Sequence, residues 1–104
     1  MVVREVNVTR HADKRIRKRN GLPRSAVEKN AANALVYGIT RTEANGALHR
    51  YMDALWHKYR NGDNARVYNG SVYIFDSETL ITVFPLPPKY RKTAENQKKE
   101  RGDA

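Results

Sequence analysis

The chain has 104 residues, 39% of them hydrophobic, carries a formal net charge of +9 and contains no cysteine. These values predict one small domain with a modest core and exclude disulfides, thiolate zinc sites and a cysteine nucleophile. A cationic excess of this size opposes compaction and suits a polyanionic partner, nucleic acid before an acidic protein or an anionic membrane surface.

The start, Met1-Val2-Val3-Arg4-Glu5, lacks the apolar core of a signal peptide. Apolar runs stay far below the ~18 residues of a membrane span, so a cytoplasmic protein with no membrane partner is expected. Residues 2–8 alternate weakly and predict a short edge strand. Thr9 is placed as an N-cap for a first helix from Arg10 to about Arg19, stopped by Asn20-Gly21. Thr9 to Arg19 holds one histidine and six basic residues against one acid. His11, Arg15 and Lys18 share a face at i, i+4 and i+7, with Arg19 nearby, and Ala12 and Ile16 form a thin apolar stripe beside them.

After Leu22-Pro23-Arg24, Ser25 and Glu28 read as a capping box for a second helix that ends at Tyr37-Gly38. Its buried face is Val27, Ala31, Ala34 and Leu35. Thr40 and Glu43 read as a second box, opening a third helix from about Arg41 to Tyr59. Ala44, Leu48, Met52, Leu55 and Tyr59 are its core stripe. Tyr51, Trp56 and Tyr59 read as packing rather than base-stacking residues. His49, Asp53 and His57 have a metal-compatible i, i+4, i+8 spacing, but they drift toward solvent and lack a fourth ligand, so no metal site is assigned.

The period then changes to two. Arg66-Val67-Tyr68 and Val72-Tyr73-Ile74-Phe75 flank Asn69-Gly70, a strong hairpin signal. Asp76-Ser77-Glu78-Thr79 is a second turn and Leu80 to Phe84 a third strand, stopped by Pro85, Pro87 and Pro88. The expected architecture is α+β: three N-terminal helices, then a small antiparallel β-meander, in a single domain over 1–88. Residues 89–104 are expected to be a mobile basic tail.

The Thr-x-His-Ala-x-x-Arg-x-x-x-Arg start at Thr9, His11, Ala12, Arg15 and Arg19, with the Leu-Ile-Thr-Val-Phe strand at 80–84, resembles a group of small prokaryotic and phage domains. That group looks related to the barnase, colicin D and RelE class of ribonuclease toxins. The long third helix departs from the usual pattern. The resemblance implies a metal-independent endoribonuclease without cofactor. Such chemistry needs a proton carrier beside fixed cations, and histidine changes charge near neutral pH.

His11, Arg15, Arg19, Tyr68 and Thr82 are the catalytic candidates, with the two arginines on the phosphate. Lys14, Arg17, Lys18, Tyr73, Lys89, Arg91 and Lys92 are the candidate nucleic-acid contacts, RNA being favoured. Two rival readings stand beside this one. The protein is a non-catalytic nucleic-acid binder, or a phage inhibitor of a host nucleic-acid-dependent protein; a host or antitoxin protein is then a partner. Phosphate-loop, serine-triad and dinucleotide motifs are absent from the sequence.

Overall fold

The computed structural model describes residues 6–21, 23–58 and 64–100. The expectations for Met1–Glu5, Leu22, Tyr59 and the turn at 61–63 lie outside them. The elements run β1 (Asn7–Val8), α1 (Arg10–Asn20), α2 (Arg24–Tyr37), β2 (Ile39–Thr40), α3 (Gly46–Lys58), β3 (Asn64–Tyr68), β4 (Ser71–Asp76), β5 (Thr79–Pro85) and α4 (Pro88–Glu100). The fold is α+β, with four helices and one five-stranded mixed sheet in the order β1-β5-β4-β3-β2.

The strands pair as a meander at the centre and depart from one at both edges. Asn69 (φ 48°) and Gly70 (φ 74°) both take left-handed conformations, the geometry a two-residue hairpin needs to match strand twist. They join β3 to β4 in antiparallel register, Tyr68 opposite Ser71. β5 pairs antiparallel with β4. β1 then joins β5 in parallel, Asn7 opposite Thr79 and Val8 opposite Leu80. This corrects the purely antiparallel expectation: a parallel pair needs a long crossover, and here the crossover runs from Thr9 to Glu78.

Alternation along the strands divides the core in two. Tyr73, Phe75, Leu80 and Val83 face one side and pack with Ala12 and Ile16 of α1 and with Val27, Ala31, Ala34 and Leu35 of α2. Val67, Val72 and Ile74 face the other side and pack with Leu48, Met52 and Leu55 of α3 and Ala94 of α4. The sheet is therefore covered on both faces, so β4 is buried from Ser71 to Phe75.

Three further expectations are corrected. α2 starts at Arg24 with Pro23 in the N-cap position, so Ser25 already lies inside the helix. The Thr40–Glu43 box does form, Thr40 N–H donating to Glu43 Oε1 at 2.8 Å and Glu43 N–H to Thr40 Oγ1 at 3.3 Å. It closes a turn rather than a helix, however. Gly46 at φ 54° interrupts the chain, and α3 begins there. β2 also separates α2 from α3, so the helices do not run consecutively.

The mobile tail is the third correction: residues 88–100 are helix α4. Its attachment is largely polar. Gln97, 6% exposed, accepts Asn45 N–H at 2.9 Å and donates to Glu43 O at 2.7 Å. Tyr90 stacks on Tyr51 with ring centroids 4.6 Å apart. No described helix is long and apolar enough to cross a membrane.

Candidate nucleic-acid interface

The site begins with the cap of α1. Thr9 Oγ1 accepts Ala12 N–H at 3.1 Å, as an N-cap should. The same hydroxyl donates to Ile81 O at 3.2 Å, and Thr9 N–H donates to Leu80 O at 3.1 Å. The cap therefore fixes the helix start to β5 as well as to itself. Ile81 is the extra residue of a β-bulge, because β4 partners pass from Thr82 at Ile74 to Leu80 at Phe75. Thus the first turn of α1, not a strand, lies along the outer edge of β5 beyond Leu80.

That docking brings His11 to Thr82. His11 Nε2 lies 3.2 Å from Thr82 Oγ1, at an exposed position. Two of the five catalytic candidates, 71 residues apart in sequence, thus meet in space. Arg15 lies one turn further along the same flank of α1 and is exposed. Arg19 lies in the last turn of α1, and its side chain falls outside the described part.

Around this pair the helix presents cations. Ala12 and Ile16 are 0% exposed, which turns Arg10, Lys14, Arg15, Arg17 and Lys18 toward solvent. Arg17 is tied to Asp13 at 3.3 Å, an exposed i, i+4 pair of small energetic weight. Gly21 ends the helix at φ 63°, its N–H donating to Arg17 O.

The tyrosines lie elsewhere. Tyr73 is 1% exposed and donates its hydroxyl to Asn30 Oδ1 at 2.7 Å. The expectation that it stacks on bases is therefore corrected: its strand parity points it under α1 and α2. Tyr68 is half-buried, edge-on to Tyr73 with centroids 6.2 Å apart, and belongs to the same packing layer. Lys89, Arg91 and Lys92 are exposed on α4, on the opposite face of the sheet from α1.

A second polar cluster was not legible as one. Arg41 donates to Asp53 Oδ1 at 2.8 Å and lies over the Trp56 ring, 5.1 Å from its centroid. His49 Nδ1 is 2.8 Å from the Arg41 carbonyl, so Nδ1 carries the proton and donates, while its Nε2 faces Asp53 Oδ2 at 3.3 Å. The Arg41 hydrogen bond holds the Asp53 carboxyl below its usual value of 3.8. His49 and Asp53 thus serve a turn-to-helix clasp with Arg41, while His57 lies edge-on to Trp56. Among the described residues there is no group of three or more histidines, aspartates or glutamates placed to hold a metal ion. Trp56, 45% exposed, corrects its expected place in the packing.

Comparisons with protein-family profiles, with curated proteins and with solved structures give no match for this chain.

Proposed function

We propose that the protein acts on RNA, as a small metal-independent endoribonuclease related to the toxin class that its two end motifs resemble. The observation that supports this reading is the His11–Thr82 pair, 3.2 Å apart on an exposed, cation-lined edge. Its chemistry is as follows. Thr82 Oγ1 accepts the Nε2 proton and orients the ring, which leaves the Nδ1 lone pair outward as a general base. That nitrogen takes the proton of a ribose 2′-hydroxyl while its oxygen attacks the adjacent phosphorus. The bond to the 5′-oxygen breaks, that oxygen takes a proton from solvent, and a 2′,3′-cyclic phosphate remains. Arg15, one turn along, neutralises the phosphorane-like transition state, and Arg19 joins it in this role.

End-labelled RNA incubated in excess EDTA tests this. The wild type yields 2′,3′-cyclic phosphate ends, and His11→Ala loses about a hundredfold or more of the rate while RNA binding stays nearly intact. Thr82→Val, which keeps shape but removes the acceptor, lowers the rate less. A His11→Ala protein that cleaves normally removes this mechanism.

The second reading is a non-catalytic nucleic-acid binder. It is favoured by the exposed cations of α1 and by those of α4, an ordered basic helix. Binding without cleavage, falling steeply with salt and weakened by Arg15→Ala but not by His11→Ala, would establish it.

A further inference from the structure

Alternation along β5 divides its side chains between the two faces of the sheet. Val83, opposite Tyr73, lies on the side of α1 and α2. Thr82 and Phe84, opposite Ile74 and Val72, lie on the side of α3 and α4. His11 therefore reaches Thr82 around the edge of β5, and Phe84 is the next side chain on that face, about 7 Å along the strand. Val83 is 1% and Leu86 0% exposed, whereas Phe84 is only half-buried. It packs against the α3 cluster and keeps part of its surface in solvent. Beyond it, α4 starts at Pro88 and brings the exposed Lys89, Arg91 and Lys92. The order along β5 thus sets an aromatic ring between the His11 edge with its cations and a second group of cations. The other rings lie elsewhere. Tyr68 and Tyr73 belong to the opposite face. Tyr37 precedes β2 at the far edge of the sheet, and Trp56 stands at a pocket of about 350 Å³ beside Thr40 and Ala65.

We propose that a base of the RNA stacks on Phe84, next to the ribose held at His11, so that the substrate is single-stranded at that point. The inference rests on the RNA reading and deepens it. A nucleotide seated at His11 places its own base and its neighbours' bases within a few ångströms of Thr82, and Phe84 is the half-open ring on that face. Cations on either side of the ring draw the phosphates of one strand along β5. Every base has a flat π-face, so such a platform tolerates any sequence. A base inside a duplex is already stacked on its neighbours and is not available to the ring.

The test uses the full chain carrying His11→Ala, which on the RNA reading holds the strand uncut. The probe is a uridine oligomer with a single 2-aminopurine, moved along it position by position; stacking lowers the fluorescence of this base. Bound single strand is quenched over one stretch of positions, and the same oligomer annealed to its complement binds about tenfold or more weakly. Adding Phe84→Leu, which keeps an apolar side chain in the cluster, removes the quenching and weakens single-strand binding about tenfold, with an unchanged circular dichroism spectrum. Phe84→Met covers the case in which the leucine variant misfolds, and Phe84→Tyr restores the quenching. Binding without quenching, equal affinity for the duplex, or undiminished quenching in a folded variant without the ring overturns the proposal and leaves the RNA reading standing. Absence of RNA binding overturns both. Quenching lost with the ring, in a protein whose wild type cuts no RNA, removes the nuclease mechanism and upholds the platform.

Discussion

Two cationic helices cover opposite faces of one sheet, and different forces hold them there. α1 is anchored by Ala12 and Ile16, both 0% exposed, and by the Thr9 hydroxyl. α4 has one small apolar anchor, Ala94 at 9% exposure, and relies on Gln97 and the Tyr90–Tyr51 stack. An apolar anchor leaves a periodic trace in the sequence. An amide that bridges two backbone groups some 50 positions away leaves none. The contrast shows that a strongly basic segment can be an integral layer of a domain while reading as a solvated tail.

The largest test of this contrast is Ile16→Ala. Deleting a fully buried branched side chain that joins α1 to the sheet costs about 2–5 kcal/mol in urea unfolding. Gln97→Ala comes next. It leaves Asn45 N–H and Glu43 C=O without their amide partner, at about 1–3 kcal/mol, and speeds amide exchange across residues 88–100. A cost near zero would show that Ala94 and Tyr90 alone retain α4. Thr9→Ala follows at about 1 kcal/mol, with Thr9→Ser close to wild type. On the proposed reading, because the hydroxyl also holds Ile81 O, this variant lowers RNA cleavage by more than its stability loss explains.

The smallest effect belongs to Asp53. Its pKa is depressed by the Arg41 hydrogen bond, so its contribution to stability is present above the unfolded value. It is lost as pH falls through the lower, folded value. Asp53→Asn therefore lowers stability slightly in the neutral region, leaves the strongly acid region nearly unchanged, and so flattens the acid limb between them. An identical acid limb in both proteins would show that the clasp does not matter to folding.

Most local signals in the sequence were reliable guides, the Ser25–Glu28 box being an exception. The Thr9 cap, the Gly21 stop, the Asn69-Gly70 turn, the buried face of α2 and Leu48, Met52 and Leu55 of α3 all depend on neighbours within a few residues, and all form as the pattern predicts. The start of α3 was misplaced because one left-handed glycine, Gly46, outweighs a well-formed capping box. Non-local pairing was hidden. The parallel β1–β5 ladder and the Gln97 clamp join segments whose partnership no periodicity records. Within the candidate site, His11 and Thr82 were legible as residue types, and only the bulge at Ile81 and the Thr9 tether explain how they meet. Trp56 was read as core because it flanks an apolar stripe; the direction of the helix face leaves it at a pocket mouth instead.

The His11–Thr82 pair has a consequence for the order of events during synthesis. The histidine leaves the ribosome before its partner, which is made 71 residues later, and the strand that carries Thr82 is also the one that β1 needs. Domains assemble as units once the required segments have emerged, and contacts this distant in sequence form slowly. A growing chain therefore carries the imidazole without its orienting hydroxyl. On the proposed reading, the histidine reaches its full activity only after the strand that carries Thr82 has been made and has docked.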